Sequence, residues 1–376
     1  MGMRNMLRSC LLLLCILAFP LAVQAGPLGI AGEYNIFVFD DIEQYGTDVE
    51  GRVAAGGNLI FGALDIPDDP NTPGVVDPIQ KGFSIASKVQ DKNGLPDLLV
   101  GGSATLSNGS VGYLTPGNTG GPNSQKGTII VGGEATFVPK PNGDPSVGYD
   151  VLSFKENVGK SNLPIDFDAE QKYLTTMSGA WSGLSTTGKI EKPWSGQLYL
   201  SGADPKLNVF NLDSSLLSQN LGFFLNVPQE STILLNIKDA DTDKKLSLKQ
   251  IGFYISNVFM PDNYFAYNDV DVAAKYLSGK SNGYPHSNIL FNFWDAQEIL
   301  IDLIEINGSL LAPNATILFE KNSHIDGNLI AYSLFGEGEA HIELFKGQLP
   351  VPEPATLILL GSGLAGIAAF RRRKTS

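Results

Sequence analysis

Cysteine is almost missing from this 376-residue sequence, and the only two, Cys10 and Cys15, fall within the first 25 residues. With that segment removed, the remainder holds no disulfide, no thiolate metal site and no cysteine nucleophile. Histidine is nearly as scarce: His286, His324 and His341 are the complete set. Their spacing matches neither H-x-x-x-H nor H-E-x-x-H, so a zinc site would need them to converge from distant segments. A solenoid permits that convergence, but no local pattern signals it, and His341 reads as a packing or hydrogen-bonding residue. No P-loop follows the first 25 residues, which leaves the usual phosphate-cradle signature unrepresented. Cations are also short. Without Arg4 and Arg8 at the front and Arg371 to Lys374 at the back, 20 of the 26 basic residues remain against 38 of the 39 acidic ones, a charge of about −18. That balance opposes nucleic-acid binding, which needs cations to displace counterions.

Long apolar runs are confined to the two ends. At the front, Arg4 and Arg8 precede the run Leu11 to Phe19, and Val23-Gln24-Ala25 supplies small residues before Gly26. Charge, apolar core and small residues in that order predict a secretory signal peptide over residues 1–25. A lipoprotein signal does not fit, because Leu14 stands before Cys15 where a small residue is required. At the back, Pro352-Glu353-Pro354 leads into the apolar stretch 355–370, followed by Arg371, Arg372, Arg373 and Lys374. At ~1.5 Å per residue that stretch covers roughly 24 Å, short for a membrane span but sufficient with local thinning and arginines reaching the headgroups. The basic end should stay on the cytoplasmic side. Gly361-Ser362-Gly363-Leu364-Ala365-Gly366 fits a dinucleotide pattern, but no strand precedes it, so it reads as small residues in a membrane helix.

This tail, residues 351–376, resembles the PEP-CTERM sorting signal. The resemblance implies cleavage by an exosortase near Pro352 to Pro354 in a Gram-negative bacterium. It also implies inner-membrane transit through residues 355–370, delivery to the cell surface or extracellular matrix, and an association with exopolysaccharide.

Between the ends, residues 26–350 read as one extracellular domain rich in Gly, Asn and Ser with short apolar runs, the pattern of strands and turns. One stretch differs. Phe167, Leu174, Met177, Trp181 and Leu184 recur at helical spacing behind Asp166, which predicts an N-capped helix at about 166–185. Elsewhere a unit repeats: Val53 to Phe61, Leu98 to Leu106, Ile129 to Phe137 and, more loosely, Leu310 to Phe319. Each is a short strand, a two-residue bend and a second strand. One such turn cannot bury its own apolar side chains, whereas stacked turns share a core. Gly-Gly at the bend permits positive φ and close backbone approach. The fold expected is mainly β, a β-solenoid with the helix alongside, with a β-sandwich as the alternative.

Further segments resemble the choice-of-anchor A family. They are Gly32 to Asp40 with Gly46 to Asn58, then Asn208 to Leu212, Ile289 to Phe293, Gly308 to Ala315, Ile325 to Ala331 and Gly336 to His341. The resemblance implies a surface location and no established reaction.

Three constellations remain. Asp239, Asp241 and Asp243 place carboxylates at alternate positions, as calcium loops do. Lys244 and Gln250 stand where an EF-hand needs glycine and glutamate, which leaves only a looser calcium site. Asp40, Asp41, Glu43, Asp48 and Glu50 are close enough in sequence for an acid/base pair or cation site, but also suit turns. Thr105, Thr136 and Thr316 occupy equivalent repeat positions, so stacking would set them in an outward row of the kind that binds ice. The expected function is non-enzymatic: an exported surface or matrix protein in adhesion or exopolysaccharide association. The alternatives are a polysaccharide-active enzyme and an ice-binding protein.

Overall fold

The computed structural model describes residues 26–62, 82–90, 93–107, 109–113, 125–138, 153–192, 197–217, 221–228, 230–238, 243–249, 251–255 and 286–351. The expected leader, the sorting tail and Asp239 and Asp241 therefore lie outside the described residues.

The sequence repeats stack in register. Val53 lies opposite Leu98 and Leu98 opposite Ile129, all in parallel strands. After the bend, Leu59–Phe61, Ala104–Ser107 and Ala135–Val138 pair in the same way. Close approach is what selects glycine at the bend. A Cβ on Gly101 would stand 2.1 Å from the Gly56 carbonyl oxygen, and one on Gly132 2.1 Å from that of Gly101. The other expected reason does not apply, since none of the bend glycines of the first three repeats has positive φ.

A complete coil bends twice, giving three faces of stacked strands. The first face carries, in stacking order, Ser153–Lys155, Thr128–Val131, Leu98–Val100, Val53–Ala55, Ile36–Val38, residues 329–331, 309–312, Ile289–Asn292, Thr232–Lys238 and Leu207–Asp213. The second face carries Ala135–Val138, Ala104–Ser107, Leu59–Phe61, Ile42–Gln44, residues 333–336, 316–319, Glu298–Asp302 and Lys245–Lys249. The third holds Gly109–Tyr113, Phe83–Ile85, Asp48–Val49, Glu339–His341, His324–Asp326 and Glu305–Asn307. A further four-stranded sheet, Lys189–Glu191, Gln197–Ser201, Leu221–Asn226 and Ile251–Ile255, adjoins that end. Apart from the antiparallel edge strand Gln125–Lys126 on the third face, the described pairing of all three faces is parallel, which rules out the sandwich alternative, whose sheets are antiparallel. Alternate residues point inward, so Ile36, Val53, Leu98, Ile129, Leu310 and Leu329 build one fully buried column.

The order of the stack differs from the order of the chain. Ile36–Val38 starts in the middle, the next coils grow toward Ser153–Lys155, and the chain then crosses back. Coils from Leu207 onward return until Leu329–Gly336 pairs with Ile36–Val38 and Ile42–Gln44.

The crossing is made by the predicted helix, α1 (Phe167–Ser182), whose N-cap Asp166 accepts a hydrogen bond from the Ala169 N–H at 3.0 Å. Phe167, Leu174, Met177 and Trp181 bury against the first face. One outward row of that face runs Ile130, Leu99, Ala54, Phe37, Ile330, Leu311, Asn292, Asn236 and Asn211. Its apolar part lies in the cluster with the helix. Its asparagine part meets the helix's C-terminal end, where carbonyl oxygens lack intrahelical partners. Asn236 Nδ2 donates to the Trp181 carbonyl at 2.8 Å, and Asn211 Nδ2 to that of Leu184 at 2.8 Å. Asn292 Nδ2 donates to Asn236 Oδ1 at 2.8 Å, and Asn236 Nδ2 to Asn211 Oδ1 at 2.9 Å, completing a ladder. Trp181 also donates from Nε1 to the Pro350 carbonyl at 2.8 Å. It thereby ties the last described residues, which lead into the tail, to the helix.

Candidate functional site

With the first face covered by α1, the second and third faces hold the outward chemistry. On the second, register alone assembles one central row: Thr136, Thr105, Ile60, Glu43, Phe335, Leu318, Leu300 and Ser247. At about 4.8 Å between strands this row extends roughly 34 Å. Ile60 is 38% exposed, and Phe335, Leu318 and Leu300 are half-buried. Outward positions of a solvent-facing strand normally alternate to polar, so the adjacent Phe335, Leu318 and Leu300, with Ile60 beyond Glu43, form an apolar patch of the kind that marks a contact surface. Its rim is charged. Lys245 Nζ lies 3.1 Å from Glu298 Oε1, and Lys249 Nζ lies 3.3 Å from Asp302 Oδ2.

The third face is polar and anionic. Glu305 lies opposite His324 and His324 opposite Glu339. One step along, Asn307 lies opposite Asp326 and Asp326 opposite His341. His341 Nδ1 is 2.7 Å from Asp326 Oδ1, His286 Nδ1 is 3.3 Å from Asp326 Oδ2, and His324 Nε2 is 3.6 Å from Glu305 Oε1. The His324 and His341 ring centroids are 4.9 Å apart. Burial alone would raise the Asp326 carboxyl, but hydrogen bonds from His286 and His341 outweigh it and hold Asp326 well below the usual carboxylate range. The same bond to Asp326 raises His341 against the effect of its burial, and the nearby Glu305 carboxylate raises His324.

The residues expected from sequence fare unequally. Thr105 and Thr136 are direct register partners on the second face. Thr316 lies in the adjacent row, opposite Ser333 and Glu298, so the three threonines do not share one line. The cause is the longer strand Ser309–Phe319, in which an irregularity between Ala312 and Thr316 moves the threonine relative to the other copies. Asp243 is exposed and accepts a hydrogen bond from the Lys245 N–H at 3.2 Å, an ordinary turn contact. In the acidic opening segment, Asp41 Oδ1 accepts from the Asn58 N–H at 2.6 Å. Asp48 accepts from the Ser84 hydroxyl, and Glu50 pairs with Lys88 and accepts from the Ile342 N–H at 3.0 Å. All three carboxylates are engaged within the coils, Asp48 with its cross-strand neighbour Ser84. Pro352, Glu353, Pro354 and Arg371 to Arg373 lie outside the described residues, and among the described ones no helix is long and apolar enough to cross a membrane. The histidine cluster and the apolar row were missed. The histidines come from three separate segments, and the row follows from a register that no single repeat displays.

Residues 27–342 match the family described as "Putative Ice-binding-like adhesive domain", and residues 350–374 match the PEP-CTERM protein-sorting motif. The second match bears out the tail. The first corrects the resemblance to the choice-of-anchor A family. The segments that carried that resemblance are strands of the stack and the bends between them. No curated protein matches the chain. Among solved structures, an ice-binding protein from the Antarctic ascomycete Antarctomyces psychrotrophicus aligns at 10% identity, over 85% of this chain and 99% of that one, with a TM-score of 0.32. The ice-binding protein_1 domain of Shewanella frigidimarina aligns at 9% identity over 86% and 98%, also with a TM-score of 0.32. The competence-associated pilin ComZ of Thermus thermophilus aligns at 13% identity over 85% and 71%, with a TM-score of 0.31. At such distances these likenesses assign no site residue to this chain.

Proposed function

This chain belongs to the ice-binding-like adhesive domain family, and from that premise we propose that it is a non-enzymatic, exported surface protein that adheres to extracellular polysaccharide through its second face. The PEP-CTERM motif implies processing by an exosortase and fits a cell-surface destination. The observation that carries the binding reading is the outward row of Ile60, Phe335, Leu318 and Leu300. Sugar rings present flat C–H faces, and a rigid parallel sheet repeating at about 4.8 Å offers a flat apolar counterpart. The acidic balance of the chain repels polyanions at long range, which favours a neutral polysaccharide over an acidic one.

Co-sedimentation of the purified protein with neutral and acidic polysaccharides tests this. Leu318→Ser with Phe335→Ser should lower retention on the neutral polymer more than tenfold while the β-type circular dichroism is kept. Unchanged retention would overturn the reading. Ice binding is the second reading, drawn from the Thr105–Thr136 pair on the same face. Thermal hysteresis that disappears on Thr105→Lys would put it first.

A further inference from the structure

The whole histidine complement of the chain, drawn from positions 286, 324 and 341, gathers within one corner of the third face around Asp326. The polysaccharide reading above makes no use of this cluster. We propose that His324, Asp326 and His341 form a binding site for a divalent transition-metal ion of the zinc class, with His286 and Glu305 holding the ligands in orientation.

The backbone fixes the set. His324 and Asp326 are two residues apart on one strand, so both side chains leave the same side of the sheet, and parallel pairing places His341 directly opposite Asp326. One ligand atom from each of the three lies within 4.8 Å of the other two. Tetrahedral zinc with bonds of about 2.0–2.1 Å needs ligand atoms roughly 3.4 Å apart. Closing the difference takes side-chain rotation on strands that are already paired, with no change of backbone.

The surroundings have the character of a metal site. Metal-binding groups are usually oriented by a further hydrogen-bond partner. Here the His286 Nδ1 lies 3.3 Å from Asp326 Oδ2, and Glu305 Oε1 lies 3.6 Å from His324 Nε2. The Nε2 of His286 is buried and has no hydrogen-bond partner among the described residues.

Chemistry selects the ion. Two imidazoles with one carboxylate favour zinc, copper(II) or nickel(II) over calcium and magnesium, which prefer all-oxygen sets. Three protein ligands leave a coordination position for water or for an oxygen donor from outside. The His324 and His341 side chains are 32% and 35% exposed, so that position is reachable from solvent.

The test is calorimetric titration of the metal-free chain with Zn²⁺ at pH 7.5, repeated with Co²⁺ while the visible ligand-field absorption is followed. One equivalent should bind. His324→Asn and His341→Asn should each abolish the event, His286→Gln should weaken it by about 10–100-fold, and calcium should not compete. With three histidines in the chain, the imidazole ¹⁵N spectrum of the unsubstituted protein supplies a check that needs no variant. Zinc should shift the His324 and His341 nitrogens strongly, and acidification to pH 5.5 should reverse the shift as protons displace the metal. No zinc-dependent shift of these nitrogens, or full one-equivalent binding by the His324→Asn/His341→Asn double variant, would overturn the proposal.

Discussion

Replacing Gly101 with alanine tests the stacking argument at its tightest point. The added Cβ would sit 2.1 Å from the Gly56 carbonyl oxygen, 2.7 Å from its carbon and 3.2 Å from its Cα. Ordinary contact begins above 3.4 Å, so the two coils must part by more than an ångström at the corner between the first and second faces. Backbone bonds join the two coils at that corner: Gly101 N–H to Ala55 O at 2.7 Å and Gly102 N–H to Gly57 O at 2.6 Å. Losing both costs about 1–3 kcal/mol, and the overpacking itself adds about 1–3 kcal/mol. We therefore expect a loss of about 2–6 kcal/mol. Gly179→Ala supplies the contrast. It lies exposed in α1, and its Cβ would meet nothing within 4 Å, so the helix should gain about 0.8–1 kcal/mol. Urea unfolding followed by circular dichroism measures both. If Gly101→Ala falls within 1 kcal/mol of the parent, about the worth of one hydrogen bond, close coil packing is not what places glycine there.

Two further outcomes follow from the helix. Burial raises the Glu170 carboxyl above its usual value, although the Ala31 and Ile30 N–H groups donate to it. The folded state then holds that proton more tightly than the unfolded chain, so the contribution is greatest at acid pH and is lost as pH rises through the folded value. Glu170→Gln keeps the acceptor and should flatten this part of the stability–pH profile. Because it forfeits about 0.3–1 kcal/mol of helix-dipole interaction, the profile and not the neutral-pH midpoint is the diagnostic, and an unchanged slope would contradict the assignment. Trp181→Phe removes the donor to the Pro350 carbonyl while keeping most of the buried ring. A loss of about 1–3 kcal/mol and faster limited proteolysis just before residue 350 are expected.

What could be read from sequence follows what is local. The apolar spacing of Phe167, Leu174, Met177 and Trp181 marked α1 to within a turn, because helical periodicity is contained in a single window. The Gly-Gly repeats marked the stack, because the same corner is crossed in each coil. The second-face row was hidden because it samples one residue from each coil, and Glu43 and Phe335 become neighbours only when the first and last coils meet. The histidine cluster was hidden for the same reason: its register joins 324 to 341, and a separate segment brings in 286. The asparagine ladder lay between these cases. Asn208 to Leu212 and Ile289 to Phe293 stood out as motifs, but their role depends on the C-terminal carbonyls of a helix far away in the chain. Threonine spacing misled because the Ser309–Phe319 strand carries an irregularity that the shorter copies lack.

That Leu329–Gly336 closes against Ile36–Val38 makes the final coil a keystone. Until it arrives, two half-built columns each end in an unpaired parallel edge, which is a template for a foreign strand. The amino-terminal half must wait for nearly the whole chain before it closes, and the PEP-CTERM motif at 350–374 follows close behind the segment that seals the column. A chain truncated before residue 329 would leave that socket open to the closing strand of an intact copy, so strand exchange between the two is the expected failure.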